Sequence, residues 1–220
     1  MSEQPSVVTD AHFRYLAERT TPEDAFLGEL KAAASAAGIP AISINPAQAA
    51  FMQILLKVAR AKHVVEVGTL AGYSAIAMAR ALPPDGSVVT IEIEPKHAAF
   101  AREWVLKSDV AKKVDVRLGP GIDILRTLGD KAFDACFLDA DKGSYPLYLD
   151  ECMRILRPNG LVMADNAFAF GQLLDEHPTD RDVPAVRAFN DYVPTVKGLQ
   201  SVIVPLGDGL WVGVAAPPAL

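Results

Sequence analysis

The stretch Ala135-Cys136-Phe137-Leu138-Asp139-Ala140-Asp141-Lys142 decides how this chain reads. Its apolar half reads as a buried strand, and it stops at a cluster of charge. A second apolar run, Gly160-Leu161-Val162-Met163-Ala164, stops the same way at Asp165-Asn166. Strands of a parallel sheet carry their ligand groups at their carboxyl ends. If these two strands are neighbours, Asp139, Asp165 and Asn166 meet at one edge as oxygen donors for a hard cation, with Lys142 on the next turn of chain. Either cluster alone reads equally well as a strand ending in a polar loop.

Working outward, strand and helix alternate. His63–Val67 is a strand, Gly68–Gly72 a loop and Tyr73–Leu82 a helix that ends before Pro83-Pro84-Asp85-Gly86. Ser87–Ile93 is the next strand, Pro95–Ser108 a helix, Val114–Leu118 a strand and Ile122–Leu128 a helix. After the opening strand come a helix over Tyr145–Leu156, a turn at Arg157-Pro158-Asn159-Gly160 and the strand ending at Asp165. Repeated alternation predicts an α/β fold, a doubly wound, mostly parallel sheet with helices on both faces. The chain then changes character. A helix over Val183–Val193 precedes two strands, Gln200–Leu206 and Leu210–Ala215, joined by Gly207-Asp208-Gly209. So short a joint makes a hairpin, so these two strands are antiparallel.

Upstream, Ala11–Arg19 has helical spacing with Phe13, Leu16 and Ala17 on one face. Thr21-Pro22-Glu23-Asp24 reads as a helix start, with Thr21 as cap and Pro22 at the first position. That helix runs to Gly38. Pro46 opens another, with Phe51, Ile54, Leu55 and Val58 as its apolar stripe. Residues 11–60 are expected to form a helical segment covering the site, residues 1–10 to be disordered, and Phe168–Pro184 to be a mobile polar loop.

A chain of 220 residues, half of them hydrophobic, fits one large domain spanning 1–220. The formal charge of -6 comes with no basic block, which argues against a nucleic-acid groove. Cys136 and Cys152 read as small core residues rather than a disulfide or zinc site. No run approaches the roughly 20 apolar residues of a membrane span, so the expected location is cytoplasmic.

The loop Glu66-Val67-Gly68-Thr69-Leu70-Ala71-Gly72 lets backbone approach a ligand closely, but it is not a G-x-G-x-x-G dinucleotide fingerprint and carries no G-K-[ST] for a triphosphate. Glu66 at the strand end repels a pyrophosphate and attracts an ammonium or sulfonium. Glu92 ends the second strand, where an acid takes the hydroxyls of an adenosine ribose. Glu66, Gly68, Ser74 and Glu92 together describe S-adenosylmethionine better than a nicotinamide cofactor.

Glu66-Val-Gly-Thr-Leu-Ala-Gly72-Tyr73-Ser74, Asp139-Ala-Asp-Lys142, Asp165-Asn166 and Gly207-Asp-Gly209 resemble the cation-dependent O-methyltransferases, the family of catechol and caffeoyl-CoA enzymes and small bacterial relatives. The resemblance implies a seven-stranded methyltransferase sheet with the last strand inserted antiparallel, and a homodimer. It implies Asp139, Asp165 and Asn166 as ligands of Mg2+ (or Mn2+ or Ca2+), and Lys142 as the residue that takes the phenol proton. It implies Ile44, Glu66, Gly68, Thr69, Ser74, Glu92, Gly121, Asp139 and Asp141 as contacts of S-adenosylmethionine.

The expected reaction is transfer of a methyl group to one hydroxyl of a small aromatic diol of catechol type. A phenol has a pKa near ~10, and a divalent cation stabilises the anion. Ile42, Phe168 and Phe170 are candidate walls of an aromatic pocket. The chain departs from the plant enzymes in reading Ala167-Phe168-Ala169-Phe170 after Asp165-Asn166, and in lacking a basic N-terminal pattern for coenzyme A. It departs from the animal catechol enzymes in having Gln200-Ser201-Val202, without an acid, on the sixth strand. A coenzyme A-linked phenolic acid and a hydroxylated tRNA base stay open as acceptors. A nicotinamide-dependent oxidoreductase and a non-catalytic binding module are the readings outside the family.

Overall fold

The computed structural model describes residues 8–216, which leaves most of the segment expected to be disordered outside the described residues. The helices are α1 (Asp10–Ala17), α2 (Ala25–Ala36), α3 (Pro46–Val58), α4 (Tyr73–Ala81), α5 (Pro95–Lys107), α6 (Gly121–Thr127), α7 (Tyr145–Ile155) and α8 (Val183–Tyr192). The strands are β1 (His63–Val67), β2 (Ser87–Glu92), β3 (Val114–Leu118), β4 (Phe133–Leu138), β5 (Leu156–Ala164), β6 (Leu199–Val204) and β7 (Leu210–Ala215).

The strands form one seven-stranded sheet in the order β3-β2-β1-β4-β5-β7-β6. Pairings from β3 through β5 are parallel, and β7 runs antiparallel between β5 and β6. The chain winds outward from β1 to β3, then crosses back to lay β4 on the other side of β1. Ligands of open α/β sheets bind at such a reversal, outside the carboxyl ends of the strands.

Side-chain alternation along each central strand feeds two separate cores. Val64, Ala135, Phe137, Leu161 and Met163 pack toward α2, α3, α4 and α5. Val65, Val67, Cys136, Leu138, Val162 and Ala164 pack toward α6, α7 and α8. Both cysteines are buried and free, as expected of core residues. Truncating a fully buried aromatic such as Phe137 to alanine costs about 3–5 kcal/mol. No helix of the described residues is long and apolar enough to cross a membrane.

Three local expectations are corrected. The cap of α2 is Asp24, not Thr21: its carboxylate accepts from Leu27 N at 3.2 Å and the helix begins at Ala25. The turn expected at Arg157–Gly160 is absorbed into β5 as an irregularity, with Asn159 at a φ of 63°. The stripe assigned to α3 is rotated: Ile54 and Val58 face solvent, and Gln48, Ala49, Met52 and Leu56 are the buried residues. A helix so apolar carries two competing stripes, and packing against α4 selects one.

The insertion expected to be mobile is braced along its length. The Arg187 guanidinium donates to the carbonyls of Leu173 (2.9 Å), Gln172 (3.1 Å) and Asp175. Gln172 Oε1 accepts from Thr179 N at 2.7 Å, and Ala169, Val183 and Val186 form a small core of their own.

Candidate active site

A cavity of about 810 Å³ opens over the carboxyl ends of β1, β2, β4 and β5. Its floor is made by two close approaches. Leu138 pairs with Ala164 across β4 and β5, and Asp165 N donates to Leu138 O at 3.0 Å. The acids that follow the two strands therefore stand side by side. Gly68 has a φ of 101°, and a Cβ there would lie 1.9 Å from Asp139 O. Only glycine lets the loop after β1 cross so near the end of β4.

One half of the cavity is formed by the loop after β1 and the end of β2. Gly68, Thr69, Ser74, Glu92, Gly121, Asp141 and Ile44 all line it. Glu92 is held rigidly: its two carboxylate oxygens accept from Leu70 N (2.8 Å) and Glu94 N (2.9 Å). Each oxygen keeps a second lone pair for a ligand. Asp141 accepts from Tyr148 OH at 2.6 Å, and burial followed by that bond pushes the Tyr148 hydroxyl up to about 12.

Glu66 lies beneath the wall rather than on it. It is fully buried and accepts from Ser74 Oγ and Thr90 Oγ1, while Thr69 Oγ1 lies 2.6 Å from Thr90 Oγ1. Burial raises its pKa to about 8, against the lowering effect of the two hydroxyls. The acid expected to present a carboxylate is thus mostly a neutral carboxyl at pH 7. A raised carboxyl pKa means that the folded protein holds a proton the unfolded chain has lost, so stability falls as pH rises from about 4.5 to about 8. Glu66→Gln is expected to flatten that slope in urea titrations at pH 5, 7 and 9 on ligand-free protein. A wild type that gains stability on the variant toward pH 9 would contradict a neutral Glu66.

The other half gathers Asp139, Lys142, Asp165 and Asn166 on the cavity wall. Lys142 is 6% exposed, and its Nζ lies 3.1 Å from Asp139 Oδ1 and 2.6 Å from Tyr145 OH. Tyr145 OH donates to Leu138 O at 3.2 Å, so its oxygen is free to receive the lysine. Asp165 Oδ1 accepts from Asn166 N at 2.8 Å. Burial, and after it the charge of Asp139, raises the Asp165 carboxyl to about 6.

Asn166 Nδ2 donates to Asp208 Oδ2 at 3.0 Å, which leaves the Asn166 Oδ1 lone pairs available to a ligand. Asp208 also accepts from Phe170 N (2.8 Å) and Gly171 N (3.1 Å). It thereby holds Ala169 and Phe170 at φ angles of 53° and 59°, strain of order 1–3 kcal/mol each.

Among the described residues no group of three His, Cys, Asp or Glu side chains forms a metal cage. The expected set is two carboxylates and one amide, a hard-oxygen set that suits Mg2+, Mn2+ or Ca2+. Two adjacent acids, with Asp165 pushed up by burial and then by the charge of Asp139, and a third donor oriented by Asp208, fit such a cation.

Of the three candidate substrate residues, Ile42 and Phe170 line the cavity. Phe168 does not; its ring packs over Gly209, where a Cβ would meet Phe168 Cγ at 2.8 Å. It is a loop anchor. Sequence reasoning missed Tyr145, Tyr148 and Asp208 as parts of the site. For Asp208 the Gly-Asp-Gly turn was a visible signal without a partner, because its partner lies 42 residues away.

The cofactor half makes its own prediction. Removing the Glu92 carboxylate is expected to weaken S-adenosylmethionine about ten- to a hundredfold, the loss of a charge-assisted pair of about 1.5–3 kcal/mol. Glu92→Gln keeps the shape and isolates the charge. Calorimetry that finds unchanged affinity in both Glu92→Ala and Glu92→Gln would reject the assignment.

Comparison with known proteins agrees with this geometry. A catechol O-methyltransferase of Niastella koreensis is 44% identical over 171 residues, covering 76% of this chain and 77% of that protein. A catechol O-methyltransferase of Mycobacterium tuberculosis is 36% identical over 194 residues, covering 88% of each chain. The crystal structure of an O-methyltransferase from Bacillus cereus in complex with SAH superposes with a TM-score of 0.84 at 30% identity, covering 93% of this chain and 97% of that one. The O-methyltransferase family pattern matches residues 17–214, and with these relatives it shows that the chain belongs to the O-methyltransferase family.

Proposed function

We propose that this protein methylates one hydroxyl of a catechol-like vicinal diphenol, using S-adenosylmethionine and a divalent cation. The observation that carries the reading is the meeting of Asp139, Asp165, Asn166 and Lys142 at the edge shared by β4 and β5, beside the glycine loop and Glu92. The names of the relatives from Niastella koreensis and Mycobacterium tuberculosis support the catechol acceptor, and the SAH bound by the Bacillus cereus enzyme supports the methyl donor.

When bound, S-adenosylmethionine supplies a methyl on a sulfonium that leaves as a neutral thioether, and a divalent cation at Asp139, Asp165 and Asn166 supplies charge that favours phenolate over phenol. The chain's residues do the rest. Glu92 holds the ribose end, and Gly68 lets the donor lie against backbone. With donor and acceptor bound, Lys142 Nζ would take the phenol proton as a neutral amine, from its place beside Asp139 and Tyr145. Tyr145 keeps that amine from swinging away. Ile42 and Phe170 give the ring an apolar wall. Holding the attacking oxygen in line supplies much of the gain.

Acid lining the cavity supports a small acceptor over the alternatives. Asp180, Asp182 and Asp208 line it together with the inner acids, and the whole chain carries a charge of -6. The phosphates of tRNA or coenzyme A would meet repulsion there. Incubation with S-adenosylmethionine, Mg2+ and a panel of catechols, read by mass spectrometry, is expected to give monomethylated diols. Methylation of hydroxylated tRNA with no product from any diol would overturn the reading.

A further inference from the structure

His97 lines the cavity, and the fold gives it no other task. It lies in the first turn of α5, two residues after Pro95. That turn is best served by acids or capping side chains, which meet its free N–H groups and its dipole. An imidazole does neither, and the cap is already Glu94, whose carboxylate accepts from Lys96 N at 3.3 Å. The His97 side chain is 20% exposed, and its Nδ1 lies 3.9 Å from Glu92 Oε1. That is beyond hydrogen-bond distance, and among the described residues the ring has no hydrogen-bond partner. Its place is nonetheless fixed. Ala98 and Ala101 bury the inner face of α5, and a Cβ at Gly72 would lie 3.4 Å from Ala101 Cβ. The helix that carries His97 therefore packs on the end of the glycine loop.

Glu92 offers the matching half. Its Oε1 accepts from Glu94 N and its Oε2 from Leu70 N, so a vicinal diol can rest one hydroxyl on each oxygen. The hydroxyl on Oε1 would then lie between Glu92 and His97. A gap of 3.9 Å is one that a single oxygen spans, at roughly 2.8 Å from each side. Such a hydroxyl donates its proton to the carboxylate and keeps lone pairs that a carboxylate cannot satisfy. We infer that His97 is a second ribose contact of S-adenosylmethionine: its Nδ1–H donates to the one hydroxyl that rests on Glu92 Oε1, so the two ribose hydroxyls are held unequally. The inference rests on the ribose reading of Glu92. A ring that acted only as a charge beside Glu92, or only as packing, would affect both hydroxyls alike.

The test is calorimetric titration of S-adenosylhomocysteine and its 2′-deoxy and 3′-deoxy forms into full-length wild type, His97→Phe and His97→Gln. Phenylalanine keeps a ring and removes the donor; glutamine keeps a donor. His97→Phe is expected to weaken the parent ligand roughly two- to tenfold, the worth of one neutral hydrogen bond. It is expected to weaken one deoxy form equally and to leave the other, which lacks the contacted hydroxyl, unchanged. His97→Gln is expected to recover part of the loss. Equal losses on both deoxy forms, or unchanged affinity for all three ligands, would overturn the inference. Failure of both variants to fold would assign His97 to packing and also overturn it. The Glu92→Ala variant separates the two readings. If it binds the parent and both deoxy forms as tightly as wild type does, the ribose reading of Glu92 falls, and this inference with it.

Discussion

Lys142→Met is expected to lower the maximal rate of methyl transfer by about 10²–10⁴-fold at pH 7, the usual contribution of a general base. Lys142 is buried between Asp139 and Tyr145, with its Nζ 2.6 Å from the tyrosine hydroxyl. Among the described residues no other lysine or histidine except His97 lines the cavity, and His97 stands on the Glu92 side. Methionine keeps the length and apolar stem of lysine and deletes the amine, so packing against Tyr145 is largely retained. Diol and S-adenosylmethionine affinities are expected to change little. The variant is expected to recover part of its rate as pH rises, because hydroxide then takes the phenol proton. The measurement is a rate-versus-pH series for both proteins under saturating substrates. An unimpaired variant at pH 7 would remove Lys142 as the base, and equal losses at every pH would make its role one of position.

Chelation is expected to abolish turnover, with Mg2+ or Mn2+ restoring it. Asp139 and Asp165 stand side by side and Asp165 is pushed up to about 6, by burial first and by its neighbour's charge second. Without a cation, an electron-rich phenolate would have to enter a wall lined by Asp139, Asp141, Asp165 and Asp208. Glu92 and Gly68 do not depend on the cation, so S-adenosylmethionine binding is expected to survive EDTA. The same logic separates acceptors. A vicinal diol offers a hard cation two oxygens where its monomethyl ether offers one, so the ether is expected to react far more slowly and the reaction to stop after one methyl. Full activity in a chelator-containing assay, or equal rates on the diol and its ether, would remove the cation from the mechanism.

Much of this site was legible before any fold was drawn. Asp139, Asp165 and Glu92 each follow an apolar run, with Lys142 three residues after Asp139, and a run that stops at a charge marks a strand end. The pairing of Leu138 with Ala164 turned two such ends into one edge. Phe168 was misread because an aromatic after a metal-type motif looks the same whether it faces a substrate or anchors a loop. The rotated face of α3 has a related cause: with Phe51, Met52, Ile54, Leu55 and Leu56 nearly continuous, periodicity leaves the direction open.

Period-two and period-3.6 patterns, glycine spacing and strand-end charges are properties of neighbouring residues, so the sequence alone determined the elements of the sheet, the β6–β7 hairpin and the acids at the strand ends. Other features sum contributions from residues far apart in the chain. The neutral state of Glu66 comes from burial by elements on both sides of β1. The orientation of Asn166 comes from Asp208, delivered by the hairpin that β7 inserts beside β5. Desolvation and hydrogen-bond completion are set by what surrounds a group in space, and only the tertiary structure decides that.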